Sequence, residues 1–340
     1  MISHTSPQWQ SCEWQSLLQS AIRDSDTLLK VLGLSSAKDQ IRPLANPDFP
    51  ILAPLPFVAR MKQGDPNDPL LLQVLATDQE IEMAAEGLLD PLNEAAFTPV
   101  PGLIHKYHGR VLLLTSGRCA INCRYCFRRH SDYSATIMTP TRKADVIQYL
   151  RTHPEVSEVI LSGGDPLLRS DQSLAELIAE LETIPHIRRL RIHSRLPIVI
   201  PQRVTQELCR VFDQSHLKIC VVIHANHPQE LDTHVAHAMH LLRSVGVTLL
   251  NQSVALQGVN ADVDTLEALS YRLYDIGVLP YYLHTFDPVA GALHFDAGTE
   301  SVVTIYQALQ GRLPGYLLPK LVTEYPGQQA KTLVPITPLN

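Results

Sequence analysis

Cys119, Cys123 and Cys126 follow a C-x3-C-x2-C spacing inside residues 118–129, Arg-Cys-Ala-Ile-Asn-Cys-Arg-Tyr-Cys-Phe-Arg-Arg. Three thiols this close can wrap one compact inorganic cluster from a single loop. A cubane [4Fe–4S] cluster normally takes four protein ligands, so three would leave one iron open to a ligand that is not protein. A zinc site would want a fourth Cys or His at a familiar interval, and C-x3-C-x2-C is not a zinc-finger spacing. A disulfide fits poorly: the chain has six Cys and no secretory signal, and clustered thiols in a reducing compartment more often bind metal.

Further polar groups recur at intervals. They are Ser162-Gly163-Gly164-Asp165-Pro166, His193-Ser194-Arg195, His224 with Asn226, Asn251-Gln252-Ser253, and His284 with Asp287. Taken alone, Gly-Gly-Asp-Pro is good turn chemistry and each of the others reads as a satisfied structural residue. The last pair is Glu324 and Lys331. A lysine near a C-terminus is usually a solvated charge, but here the preceding apolar, proline-stiffened Gly-Tyr-Leu-Leu-Pro-Lys-Leu-Val-Thr of residues 315–323 must pack somewhere.

The elements that must position these groups form a regular alternation. Apolar, β-branched runs at 111–116, 157–162, 189–194, 217–223, 247–254 and 279–286 are each followed by helical periodicity, near 141–151, 172–183, 202–212, 228–244, 262–276 and 299–310. Six such units predict parallel strands joined by right-handed crossovers. A doubly wound sheet and a barrel share this pattern. In either, chemistry gathers at the carboxyl ends of the strands, where these polar groups fall. Before the alternation, residues 9–32 read as a helix with Asp24 or Asp26 as a cap, residues 42–56 as an extended proline-rich segment, and 57–62 and 70–75 as short helices. The expected division is an accessory region at 1–100 without chemistry of its own, a (βα)6 unit at 101–312 and a C-terminal segment at 313–340.

Composition sets bounds. At 340 residues, 45% apolar and 18% charged, the chain can bury one large core. A net charge of −6 gives no reason to expect nucleic-acid binding. No run approaches the ~18 apolar residues a membrane span needs, so a cytoplasmic protein is expected, with Cys12, Cys209 and Cys220 as isolated buried thiols.

The Cys loop, with Tyr125 before its last Cys, resembles that of the radical S-adenosylmethionine (SAM) enzymes. That resemblance implies a partial (βα)6 TIM-type barrel, an open iron chelated by SAM, and a 5′-deoxyadenosyl radical from its reductive cleavage. It also implies that Ser162, Gly163, Gly164 and Asp165 form the SAM-binding glycine motif, with Arg195, His224, Asn226 and Gln252 as further SAM contacts. From about 103 to 332 the chain is similar to the lysine 2,3-aminomutases within that group, and Glu324 and Lys331 keep the spacing of their acidic residue and pyridoxal phosphate lysine. By that likeness Arg128 takes the substrate carboxylate, Asp287 and Glu324 the distal ammonium, and Arg110 the cofactor phosphate. There are departures: the family usually has Asp at 324 and several glycines where Gln328, Gln329 and Ala330 stand. Longer members carry zinc-binding cysteines in a C-terminal tail, whereas this chain stops nine residues after Lys331.

The expected activity is therefore conversion of L-α-lysine to β-lysine. The partners implied are lysine, an electron donor such as flavodoxin or ferredoxin, and a functional link to the elongation factor P lysyl-ligase. The compact form resembles the members that supply β-lysine for elongation factor P modification. An aminomutase acting on ornithine and an iron–sulfur electron carrier or sensor are the alternatives.

Overall fold

A computed structural model describes residues 13–82, 86–132 and 139–336. Cys12 and the first part of the helix expected at 9–32 lie outside the described residues. Nine strands form one sheet: β1 (Leu103–Tyr107), β2 (Arg110–Ser116), β3 (Glu158–Gly163), β4 (Arg189–Ser194), β5 (Lys218–His224), β6 (Thr248–Val254), β7 (Leu279–His284), β8 (Lys320–Thr323) and β9 (Thr332–Leu333). Their spatial order is their chain order. A doubly wound sheet reverses order at a switch point. No reversal occurs here, so the winding is that of a barrel. β2 to β8 pair in parallel, while β1 and β9 close the two edges antiparallel, leaving the barrel open.

Each of the six expected strands and helices is present within a few residues. The crossover helices are Pro140–Thr152, Asp171–Glu182, Gln206–Asp213, Thr233–Ser244, Val263–Asp275 and Thr299–Arg312. Thr139, Ser170, Thr205, Asp232 and Asp262 each accept a backbone N–H from the first turn of the helix they precede. Such a cap is worth about 1 kcal/mol and fixes where the chain turns back. Packing supplies the rest. Leu174, Leu177, Ile178 and Leu181 recur on one face of their helix and are buried, and truncating one to Ala would cost about 2–5 kcal/mol. Strand β4 alternates in the same spirit: Leu190 and Ile192 are fully buried, while Arg191 and His193 lie on the other, concave face, level with Cys220 and Val222 of β5.

Two expectations change. Residues 9–32 do not form one helix, because Ile22 leaves to pair antiparallel with Ala53. The described part is two helices, Trp14–Gln19 and Ser25–Val31, with the Asp24 side chain accepting from Thr27 N at 2.8 Å at the second start. The C-terminal segment does more than pack against the barrel: β8 is its seventh parallel strand, which places Glu324 at a strand's carboxyl end like the other polar groups. Among the described residues no helix is long and apolar enough to cross a membrane.

Candidate active site

The Cys loop leaves the end of β2 and is gripped by the N-terminal region, which thereby braces the loop. Arg124, fully buried, donates from Nε and Nη2 to the two Glu80 oxygens at 2.6 and 2.5 Å. Arg129 reaches the same carboxylate at 2.5 Å. Both guanidinium groups lie over the Phe49 ring, at 5.0 and 5.1 Å. Backbone bonds from Arg124 N to Gln73 O and from Asn122 N to Leu52 O complete the grip.

The glycine motif braces the loop from the other side. A Cβ on Gly164 would stand 2.2 Å from Arg118 O, and Gly163 has φ +111° with Ser116 O 2.8 Å from its would-be Cβ. Only glycine permits that approach. The motif is therefore more than a turn. Gly164 N and Asp165 N donate to Ser116 O and Arg118 O, both at 2.8 Å. Asp165 is buried and accepts from Leu167 N, Ser194 Oγ, Arg195 N and Leu196 N. Its hydrogen-bonding capacity is spent on holding β3 and β4 ends together. Asn226 is similarly sealed, between Tyr125 Oη, Gln73 Oε1 and Val254 N.

Around the thiols, burial pushes Cys126 up to about 11, and burial followed by the neighbouring Cys126 raises Cys119. The three sulfurs thus feel one another. Among the described residues no three His, Cys, Asp or Glu side chains converge tightly enough for one metal ion; a cubane asks instead for separate thiols set further apart. Cys119, Cys123 and Cys126 are free and half-buried, with the guanidinium of Arg195 donating to Cys123 Sγ at 2.7 Å. This donor set, with cationic Arg128 and Arg129 just beyond it, fits an anionic cluster. His224 stacks on Tyr125, its Nε2 3.0 Å from the phenol oxygen; burial, then Arg195, lowers it to about 3, so the ring is neutral. Gln252 sits level with His224 across the β5–β6 pair.

At the opposite edge, Glu324 is a hub. Its Oε1 accepts from Lys106 Nζ at 2.8 Å and Tyr107 Oη at 2.6 Å, and its Oε2 from Lys331 Nζ. Burial alone would raise this carboxyl, yet Lys331, Lys106 and Tyr107 hold it well below the usual carboxylate range. Asp287 behaves oppositely. Burial pushes it up to about 6 against the pull of Lys331 and Lys106, with Glu324 and Glu94 reinforcing the rise. Arg128 donates to both Glu94 oxygens, at 2.8 and 2.5 Å, and to Ser162 Oγ at 3.2 Å. Arg110 lies 4.7 Å over the Tyr107 ring and, among the described residues, pairs with no carboxylate. The buried Nε2 of His193 finds no hydrogen-bond partner among them either, although Lys331 and Arg128 are close enough to lower its proton affinity further after burial. An unneutralised arginine and an orphaned ring nitrogen beside Lys331 fit a bound anionic cofactor.

The sequence reading missed Glu80, Gln73, Glu94, Lys106, Tyr107 and Glu230. None belongs to a motif, and Lys106 and Tyr107 lie on the antiparallel β1, whose Leu-Ile-His-Lys-Tyr shows no alternation that would mark it as a strand.

The chain matches known proteins along most of its length. The profile of the Radical SAM superfamily matches residues 113–267. The chain is similar to the L-lysine 2,3-aminomutase of Haemophilus influenzae, 46% identical over 94% of this chain and 95% of that one. It is likewise 46% identical to the L-lysine 2,3-aminomutase of Escherichia coli, over 94% of each. The protein of that name from Clostridium subterminale is 37% identical over 96% of this chain and 78% of its own length.

Proposed function

The chain belongs to the L-lysine 2,3-aminomutase family of radical SAM enzymes, and on that premise we propose how its residues divide the conversion of L-α-lysine to β-lysine. It is an isomerase, and the family implies a [4Fe–4S] cluster and SAM; the electron-carrier alternative falls with that membership. We assign the cluster to Cys119, Cys123 and Cys126, and pyridoxal phosphate to Lys331 with Arg110 at its phosphate. The observation carrying this reading is the clustering of Lys331, Glu324 and Asp287 at the strand ends, where Lys331 pairs with Glu324 and both act on the Asp287 carboxyl.

When bound, the two cofactors supply a radical able to abstract an unactivated C3 hydrogen and a π-system through which nitrogen can move, chemistry that no side-chain base provides. The protein's own work is placement. The fork of Arg128 suits a carboxylate; Glu94 fills it in this structure, so a substrate carboxylate would take the place of Glu94. Asp287 and Glu324 supply two acids to one distal ammonium, which keeps it protonated. Lys331 would hold pyridoxal phosphate and would then no longer pair with Glu324, whose Oε2 would be left as an acceptor for that ammonium. Lys106 stays on Oε1 and holds the carboxylate in place. Burial of these groups keeps water from the reacting carbon. Gln252 and His224 remain available to SAM, with Gly163 and Ser162 nearby, while Asp165 and Asn226 act by bracing that pocket.

We extend the proposal to the product's fate, supply of β-lysine for modification of elongation factor P, with flavodoxin or ferredoxin as the reductant. The test is anaerobic incubation of reduced, reconstituted protein with SAM and a panel of lysine, ornithine, arginine and norleucine. β-Lysine alone supports the reading; β-ornithine as the main product would replace it.

A further inference from the structure

The Arg195 guanidinium is held at both terminal nitrogens, while its buried Nε finds no hydrogen-bond partner among the described residues. Its Nη1 donates to Cys123 Sγ at 2.7 Å, and its Nη2 to Gln73 Oε1 at 2.6 Å and Glu230 Oε2 at 2.9 Å. Its Cζ lies 5.3 Å from the centroid of the Phe57 ring and 5.6 Å from that of Tyr125. Its own backbone N–H is held by Asp165 at 2.9 Å. Arg195 is 7% exposed and Glu230 is wholly buried. Such a side chain cannot swing out to solvent, so the contact with sulfur is built in rather than incidental.

We propose that Arg195 is a positioning residue that tunes the reduction of the iron–sulfur cluster, by donating a charge-assisted hydrogen bond to the Cys123 sulfur. This rests on the assignment of Cys119, Cys123 and Cys126 as cluster ligands. Reduction adds one electron from an external donor to the cluster and breaks no bond. The added negative charge spreads onto the sulfurs, so a cationic N–H donor stabilises the reduced form more than the oxidised one. Hydrogen bonds to sulfur and local net charge are recognised levers on such potentials. Glu230 partly offsets the guanidinium charge through the shared ion pair, and so sets how strongly Arg195 acts. Gln73, from the N-terminal region, shares Nη2 with Glu230, which ties the cluster's electronics to a part of the chain that supplies none of its ligands.

The opposed charges of Arg195 and Glu230 give the test its sign. Full-length wild type, Arg195→Gln and Glu230→Gln are reconstituted anaerobically, assayed for iron and sulfide, and titrated with dithionite under EPR detection. SAM is left out, so a contact between Arg195 and that cofactor contributes nothing. Arg195→Gln is expected to lower the ratio of reduced to oxidised cluster about tenfold at a fixed applied potential, which is about 59 mV for one electron. Glu230→Gln is expected to shift it the other way. Iron-replete Arg195→Gln with an unchanged potential overturns the proposal. If that variant does not hold iron, Glu230→Gln decides: a rise supports it, and no change or a fall overturns it. Loss of iron from both variants also counts against it, since Arg195 would then serve the scaffold alone. Failure of the wild type to bind iron would instead sink the ligand assignment itself.

Discussion

Asp287 and Glu324 carry the same chemical group shifted in opposite directions, and that contrast is testable. Burial leaves Asp287 with a proton affinity near pH 6, whereas Lys331 and Lys106 keep Glu324 ionised far below that. As pH falls through about 6, Asp287 takes up a proton while lysine's ammonium stays charged. The KM for lysine should therefore rise below that point, approaching about tenfold per unit, and Asp287→Asn should flatten the profile. The linkage to folding has the matching sign: a carboxyl raised in the folded state opposes stability above its folded value, and that cost is relieved as pH falls from about 6 toward its unfolded value. Losing one partner of a buried charge pair costs about 2–5 kcal/mol, so Asp287→Asn should lower kcat/KM for lysine roughly 30-fold to several thousandfold and leave norleucine little affected. A variant that separates lysine from norleucine as well as the wild type does would remove the clamp. Lys331→Ala should abolish β-lysine formation and the visible absorption of bound pyridoxal phosphate while SAM cleavage persists; a coloured, active variant would mean that another lysine carries the cofactor. Asp287 could be singled out in the sequence by its place after a predicted strand, and Lys331 only by its likeness to the aminomutase lysine seven residues after an acid. Lys106 and Glu94 could not be, because a single charge in an unpatterned stretch reads as solvated surface, and only packing reveals that Lys106 is buried beneath Glu324.

At the scale of elements, β2, β3 and β5 were readable as near-continuous Val, Ile and Leu runs, and β4 and β6 as mixed apolar and polar stretches whose buried positions alternate. The seventh parallel strand, β8, was hidden: Lys-Leu-Val-Thr is four residues long, too short for a period to show, and its partner β9 has only two. The N-terminal helices were equally obscure in role. Glu80 sits on a four-residue helix and looks like any exposed acid, yet it is 5% exposed and holds two arginines of the Cys loop. Glu80→Ala leaves those two charges buried without their carboxylate, a loss of about 3–5 kcal/mol. The expected result is a lower denaturant midpoint together with reduced iron content. Unchanged iron with a lowered midpoint would show that the grip serves folding alone. Gly164→Ala tests the opposite brace: its Cβ would meet backbone at 2.2 Å, so the Cys loop must shift, and iron retention should fall although no ligand is altered.

The molecule as a whole places two sets of groups at one end of an open barrel. The Cys loop lies after β2, and Lys331 lies between β8 and β9 at the far edge. Strand curvature brings those edges toward each other, and β1 bridges them directly, since Lys106 and Tyr107 from one edge bond Glu324 from the other. This is why the accessory region and the C-terminal segment cannot be understood apart from the barrel: Glu80 and Gln73 secure one site, and β1 with β8 builds the other. A chain beginning at residue 99 should accordingly lose most of its iron on reconstitution even though every Cys ligand remains. The central claim is a 2,3-migration of the amine within lysine, driven by SAM cleavage in this pocket. The most direct measurement is NMR of the product formed from L-lysine labelled with 15N at C2, incubated anaerobically with the reduced holoenzyme. The account predicts β-lysine with 15N on C3, formed only when SAM and reductant are both present; label remaining on C2, or product formed without SAM, would contradict it.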